Sequence, residues 1–221
     1  PFLPDNYIES LEDSYTKVQL EAYTEGEFVN LTSGTVYHAF DRQVNHSDRE
    51  IQSRDVLHIG MDFNITKMSA VVHVTDAKIV TAVEEITNAY DTAEMISIIK
   101  VRYPKQKIVV YPDASGNARN TAGDSDIKLL RKAKFTVRVD KSNPSVRDRI
   151  TSVNSALKNS KGETTYFINT NNCIDYTEAL EKLAYKNGVP DKESGFDHVT
   201  DGGGYALYQI NKGKNTIRIN V

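Results

Sequence analysis

Residues 57–63 read Leu-His-Ile-Gly-Met-Asp-Phe, and apolar side chains alternate there with polar or small ones. Alternation with a period of two is typical of a β-strand that buries one face. Two more β-rich runs follow at residues 68–74 and 79–86, and a tight connection at Asp76-Ala77 joins them. Three neighbouring strands with short turns predict an antiparallel meander.

The segments after the meander alternate between helix and strand patterns. Asp91 and Glu94 are start signals for a helix that ends near Pro104, and residues 107–111 are typical of a short buried strand. The remaining predicted elements are helices at 125–133, 144–159, 175–186 and 197–211 and strands at 135–139 and 164–168. This order predicts an α/β fold in which parallel crossovers extend the meander, the mixed, helix-flanked sheet of ribonuclease H-like proteins.

Composition excludes several classes of protein. The chain has 221 residues, of which 39% are hydrophobic and 26% charged, so it is neither disordered nor fibrous. The single cysteine, Cys173, excludes an internal disulfide and a CxxC zinc site and suits a reducing cytosol. No run approaches 18 apolar residues, so we expect a soluble chain without a membrane span.

The N-terminal region is strongly acidic. Residues 1–26 contain six acidic residues and one lysine, and apolar positions at helical spacing predict a helix. The chain opens at Pro1 without a methionine. We therefore expect a fragment in which residues 1–26 are a helix or linker from a preceding domain and residues 27–221 form the main domain.

Basic residues concentrate in the second half of the chain. Between residues 127 and 161, ten basic residues stand against two acidic ones, in a chain whose formal net charge is −3. This concentration fits either a cationic face that binds DNA phosphates or a solvated helical face. The candidate DNA-binding residues are Lys128, Arg131, Lys132, Arg138, Lys141, Arg147 and Arg149.

Four aspartates occupy positions that the predicted fold can bring together. Asp62 lies within or at the end of the first strand, Asp113 directly follows the strand at 107–111, and Asp197 and Asp201 stand one helical turn apart. Carboxylates on separate rigid elements suit hard cations such as Mg²⁺, and two such ions about 3.5–4 Å apart can hydrolyse a phosphodiester. Each acid also has a structural explanation, because Asp113 can cap a loop and Asp197 can cap a helix.

Two neighbouring features leave alternatives open. His198, beside Asp197, is either a packing residue or a further group of the site. The run Gly202-Gly203-Gly204 lies inside a helical pattern, where each glycine costs about 1 kcal/mol relative to alanine. It predicts either a close approach of another backbone or of DNA, or an irregular helix.

Five short motifs stand in a fixed order along the chain. They are EFV at 27–29, GTVYHAFD at 34–41, HIGMDF at 58–63, VYPDASG at 110–116 and FDHVTDGGGYA at 196–206. Their order and spacing resemble the nuclease domain of a tailed-bacteriophage terminase large subunit of the headful-packaging podovirus type, P22-like. The resemblance covers about residues 25–210.

This resemblance implies a two-metal endonuclease that cleaves concatemeric double-stranded viral DNA during genome packaging, largely without sequence specificity. It implies Asp62, Asp113 and Asp197 as catalytic metal ligands, Asp201 as an additional ligand, and two Mg²⁺ ions that Mn²⁺ can replace. The implied partners are double-stranded DNA, an N-terminal ATPase domain of the same subunit, the portal protein and the small terminase subunit, with no membrane. The implied location is the host cytoplasm, on the procapsid and outside the virion.

Two other functions remain compatible with the same residues. A Holliday-junction resolvase or transposase would use the same fold and carboxylates, and preferential cutting of four-way junctions would indicate it. A non-catalytic domain that grips DNA for the packaging motor would use the acids only as caps, and would bind Mg²⁺ no better than an ordinary protein surface does.

Overall fold

The computed structural model describes residues 7–17, 20, 34–64, 67–117 and 124–218. In chain order the elements are α1 (Tyr7–Ser14), β1 (Val56–Asp62), β2 (Met68–Asp76), β3 (Ile79–Ala89), α2 (Thr92–Arg102), β4 (Lys107–Pro112), α3 (Asp126–Lys132), β5 (Thr136–Val137), α4 (Val146–Leu157), β6 (Tyr166–Ile168), α5 (Ile174–Lys182), β7 (Tyr185–Lys186), β8 (Val189–Pro190) and α6 (Asp197–Arg218). Short 3-10 helices lie at Ala114–Asn117 and Lys192–Ser194.

Six strands form one mixed sheet in the order β5-β4-β1-β2-β3-β6. β1, β2 and β3 pair antiparallel, whereas β4 pairs parallel to β1, β5 parallel to β4 and β6 parallel to β3. The predicted ribonuclease H-like arrangement, a meander extended by parallel strands, is confirmed. Because β1 and β4 run in the same direction, their carboxyl ends lie at the same edge of the sheet.

Helices cover both faces of the sheet. On one face, Ile59 and Met61 of β1 pack in the same core cluster as Met95 of α2. The other face packs against α4, α5 and α6. Because side chains alternate along a strand, Gly60 and Asp62 face α6. The alternation that predicted β1 therefore also decides which helix its one acidic residue meets.

β1 and α6 touch through their backbones. A Cβ atom on Gly60 would stand 2.0 Å from the carbonyl oxygen of Gly202, and one on Gly203 would stand 2.6 Å from the hydroxyl of Tyr176. α6 is nevertheless continuous over Asp197–Arg218. The close approach of another backbone is thus the correct interpretation of the glycine run, and the irregular helix is wrong. This contact seats the first turns of α6 at the end of β1.

Several predicted elements have different bounds in the structure, as the following three illustrate. The strand predicted at 135–139 shrinks to the two residues of β5. The helix predicted from residue 144 begins at Val146, because the Ser145 hydroxyl accepts from the amide of Asp148 at 3.0 Å and caps it. The helix predicted over 175–186 ends with α5, and β7 and β8 form a hairpin around Asn187 and Gly188, both of which have positive φ.

The N-terminal prediction is tested only in part. Within the predicted helix over 1–26, α1 is helical, and residues 1–6, 18–19 and 21–26 lie outside the described residues. The predicted domain boundary at residue 26 lies outside them as well. Among the helices of the described ranges, none has the length and apolar character needed to cross a membrane.

Candidate metal centre

The four candidate aspartates lie at one edge of the sheet. Asp62 is the last residue of β1, and Asp113 directly follows β4, its parallel neighbour. The amide of Asp113 donates to the carbonyl of Met61 at 3.0 Å, which holds the two strand ends side by side. Asp197 begins α6 and Asp201 follows one turn later. The packing of α6 on β1 brings these side chains to the carboxyl ends of β1 and β4.

Asp62 is buried, with 8% of its surface exposed. Burial raises the pKa of Asp62 to about 6, and the negative charges of Asp201 and, to a smaller extent, Asp113 act in the same direction. The hydrogen bond from His198 opposes this rise in the pKa. His198 Nδ1 lies 3.1 Å from Asp62 Oδ2. The ionised carboxylate is therefore costly in this position unless positive charge approaches it.

Asp197 is also buried, at 6% exposure. Its Oδ1 atom is buried and has no hydrogen-bond partner among the described residues. His198 Nε2 lies 3.8 Å from that oxygen, beyond hydrogen-bond distance. A buried carboxylate oxygen without a donor is unfavourable, and a bound cation would satisfy it.

Asp201 is the acid that the protein itself neutralises. Its Oδ1 accepts from Arg149 Nη2 at 2.5 Å, and the Arg149 side chain is 3% exposed. Burial raises the pKa of Asp201, and the charge and hydrogen bond of Arg149 oppose this shift. The Arg149 guanidinium also lies 4.6 Å from the centre of the Tyr205 ring. The prediction that Arg149 contacts DNA is therefore wrong, because its side chain is buried and paired.

Asp113 is half-buried, and two hydrogen bonds hold its carboxylate in place. Its Oδ1 accepts from the amide of Ser115 at 2.7 Å and from Asn143 Nδ2 at 2.6 Å. The first bond caps the 3-10 helix, so the structural role considered for Asp113 is present. The same residue also stands at the edge where Asp62 ends its strand, and its charge contributes to the raised pKa of Asp62.

His198 joins the acids to the loop after β1. Its Nε2 lies 2.9 Å from Asn64 Nδ2, and its Nδ1 faces Asp62. An amide nitrogen can only donate, so this pattern assigns Nε2 as the acceptor and Nδ1 as the donor to Asp62. Of the two interpretations of His198, the structure favours a group that contacts the acids over one that only packs.

The donor chemistry suits a divalent cation, although the carboxylates are not preassembled around one point. Among the described residues, no three His, Cys, Asp or Glu side chains lie close enough to hold a metal ion as they stand. The unpartnered oxygen of Asp197 and the raised pKa of Asp62 both indicate an excess of negative charge. Hard oxygen ligands are the set that Mg²⁺ prefers. The acids therefore fit a divalent cation by the chemistry of their donor atoms.

The remaining candidate DNA-binding residues lie on the surface. Those with exposed side chains are Lys128, Arg131, Lys132, Arg138, Lys141 and Arg147. Lys128 and Lys132 both form ion pairs with Asp124, which reduces the positive charge that α3 offers. The cationic character of this face is therefore stronger at residues 138–147 than on α3.

The match to a family model covers the elements that carry these acids. The model of the terminase RNaseH-like domain matches residues 59–209, more than half of the chain. The chain belongs to the terminase RNase H-like domain family. The predicted resemblance to terminase large subunits is confirmed, whereas the headful-packaging type stays a prediction.

Several phage terminases share the fold of this terminase domain. The large terminase of one thermophilic bacteriophage has a TM-score of 0.71 at 19% identity, over 94% of this chain and 53% of that one. This chain thus spans about half the length of that protein. The P22 large terminase nuclease domain has a TM-score of 0.62 at 16% sequence identity, and the match covers 82% of this chain and 94% of that one. The large terminase nuclease of the thermophilic phage G20c, with bound magnesium, has a TM-score of 0.53 at 14% sequence identity, and the match covers 79% of this chain and 97% of that one. The comparison with curated proteins gives no match.

Sequence reasoning missed three residues that support the site in this terminase domain. Asn143 and Asn64 were not among the candidates, and Arg149 was placed with the surface cations. Asn143 and Arg149 bond Asp113 and Asp201, and Asn64 bonds His198, all through contacts between distant parts of the chain, which a local pattern does not contain. For Arg149 the glycine run was a signal in the sequence, because Gly204 leaves space for the Arg149 side chain. A Cβ atom at residue 204 would lie 2.8 Å from that side chain.

Proposed function

We propose that this terminase domain is a metal-dependent endonuclease. It cleaves concatemeric double-stranded DNA during viral genome packaging, largely without sequence specificity. Family membership supports a place in a terminase large subunit. The site supports hydrolysis, because it is built from carboxylates at the carboxyl ends of two adjacent parallel strands.

The observation that carries this proposal is the uncompensated negative charge of the site. Asp197 Oδ1 is buried without a partner among the described residues, and Asp62 is buried beside other carboxylates. Structural caps would have their oxygens satisfied by backbone amides, as Asp113 Oδ1 is. A protein keeps buried, unpaired acids where a cation is to bind.

The residues proposed to hold the metal are Asp62, Asp113 and Asp197, with Asp201 as an additional ligand. Two bound Mg²⁺ ions, or Mn²⁺ in their place, would activate water and stabilise the charge that develops on the scissile phosphate. His198 donates to Asp62 and orients its carboxylate. Arg149 holds Asp201 and lowers the net negative charge, which limits repulsion between the acids before an ion arrives.

Substrate access and partners extend the proposal to the whole subunit. A cleft of about 280 Å³ opens beside His198, and its lining includes Lys67 and Ser69 as well as the acidic Asp175 and Glu178. The proposed partners are double-stranded DNA, an N-terminal ATPase domain of the same subunit, the portal protein and the small terminase subunit. The proposed location is the host cytoplasm, on the procapsid during packaging.

The test is cleavage of three DNA substrates by the purified chain. Supercoiled plasmid and linear duplex should both be cut in Mg²⁺ or Mn²⁺ and remain intact after addition of a chelator. Fragment ends should map throughout the sequence. Preferential cutting of a synthetic four-way junction would support a resolvase instead. DNA binding without cutting, together with no Mn²⁺ binding by calorimetry, would support a non-catalytic gripping domain.

The surface charges give a separate prediction about DNA affinity. Replacing Lys141 and Arg147 together with alanine should weaken binding of unrelated duplexes to a similar degree and lower the salt slope by about one for each phosphate that the variant no longer neutralises. The matched control is Lys100→Ala with Lys105→Ala, which removes the same charge from exposed positions around α2. Fluorescence anisotropy over a salt series measures both. Equal weakening by the control pair would contradict a DNA-binding role for residues 138–147.

A further inference from the structure

Asn143 forms a bridge between a surface segment and one of the candidate metal ligands. It lies on the connection between β5 and α4. Its Nδ2 donates to Asp113 Oδ1 at 2.6 Å, and its own Oδ1 accepts from the amide of Ala114 at 2.7 Å. Both ends of the amide are therefore used, one on the acid and one on the backbone that follows it.

The segment that carries Asn143 is held in place at two further points. The amide of Arg138 donates to the carbonyl of Val110 in β4 at 2.9 Å. Asp140 Oδ2 accepts from Gln209 Nε2 and from Lys212 Nζ, each at 2.8 Å, and both donors belong to α6. Because the segment is fastened to β4 and to α6, it gives the Asn143 amide a fixed position over the end of β4.

The hydrogen bonds of Asn143 leave one side of the Asp113 carboxylate for a ligand. Asn143 Nδ2 and the amide of Ser115 both bond Oδ1. Two donors on one oxygen fix the rotation of the carboxylate and leave Oδ2 unoccupied by either of them. The donor is also neutral, and it therefore orients the acid without competing with a cation. Asp201 differs, because the Arg149 guanidinium already supplies positive charge there.

We propose that Asn143 is a positioning residue that presents Asp113 to the metal ion. This inference rests on the proposed metal-dependent function. Partners in the outer shell of a metal site orient the ligands, and their removal typically weakens metal binding about 10–100-fold. The segment from Arg138 to Asn143 also carries exposed Lys141, so one side chain joins the proposed phosphate-binding surface to an acid of the site.

The test is calorimetric titration of the purified chain with Mn²⁺ alone. Asn143→Ala should bind Mn²⁺ about tenfold more weakly than the wild type. The matched control, Ser142→Ala, removes the exposed neighbouring side chain of the same segment and should bind as the wild type does. Thermal unfolding without metal should give similar melting temperatures for all three proteins, since Asn143 is exposed.

A double-mutant cycle shows whether Asn143 acts through Asp113. In an Asp113→Asn background, Asn143→Ala should cause little further loss of Mn²⁺ affinity, because the acid that it orients is gone. A wild-type affinity in Asn143→Ala, or the same tenfold loss in both backgrounds, would overturn the positioning role alone. No Mn²⁺ binding by the wild type would overturn the proposed function, and this inference with it.

Discussion

Replacing Asp62 with asparagine is expected to slow Mg²⁺-dependent plasmid cleavage about a thousandfold or more. Asp62 is buried at the end of the central strand and lies within the electrostatic reach of Asp113 and Asp201, so it is the acid around which the proposed metal site is organised. A thousandfold corresponds to about 4 kcal/mol, which is within the several kcal/mol that a metal ion supplies to a developing phosphate charge. Loss of supercoiled plasmid in single-turnover assays measures the effect.

The control for this variant is Asp48→Asn, which makes the same chemical change at a side chain that is 85% exposed. That variant should cut at the wild-type rate. If Asp62→Asn cleaved plasmid at a rate within tenfold of the wild-type rate, the assignment of Asp62 as a metal ligand would be contradicted.

The same substitution separates loss of function from loss of folding. The pKa of Asp62 is raised from 3.8 to about 6, so the folded chain binds this proton more tightly than the unfolded chain. As the pH rises from 3.8 to about 6, the wild type therefore loses stability that Asp62→Asn does not lose. Between pH 3.8 and about 6, the free energy of unfolding of the variant should therefore rise relative to that of the wild type. At pH 7 the variant should be at least as stable as the wild type. Urea unfolding at several pH values measures the difference.

Local patterns predicted the parts of this fold that local physics determines. The alternation at residues 57–63 identified β1 and left Asp62 either within that strand or at its end. In the structure Asp62 is the last residue of β1, and it faces away from Ile59 and Met61 because neighbouring side chains in a strand point in opposite directions. Asp91 was identified as a helix start, and its side chain does accept from the amide of Glu94 at 2.8 Å. Such signals depend on residues within one turn of each other.

Elements whose limits depend on distant partners were predicted less well. β5 has two residues because it pairs only with Val109 and Val110, and nothing within residues 135–139 reveals how far that pairing extends. Asn143 and Asp113 are 30 residues apart in the chain. Counting charges also treats every arginine as a surface residue, which is why Arg149 was assigned to DNA. The sequence could identify the acids, but not the residues that hold them.

Replacing Arg149 with methionine is expected to destabilise the fold strongly, although Arg149 is not a proposed ligand. The substitution keeps a long side chain beneath Gly204 and removes the guanidinium that bonds Asp201 and lies over the Tyr205 ring. Removing one partner of a buried ion pair costs about 3–5 kcal/mol, and the partial exposure of Asp201, 27%, favours the lower figure. A loss of about 3 kcal/mol lowers the melting temperature of a chain of this size by about 10 °C.

The double variant Arg149→Met with Asp201→Asn distinguishes this cause from poor packing. It removes both charges, so it should recover a large part of the lost melting temperature. Arg149→Lys should recover little, because a lysine ammonium cannot reproduce a planar guanidinium lying over the Tyr205 ring while bonded to Asp201. A double variant as unstable as Arg149→Met alone would contradict the ion pair as the cause.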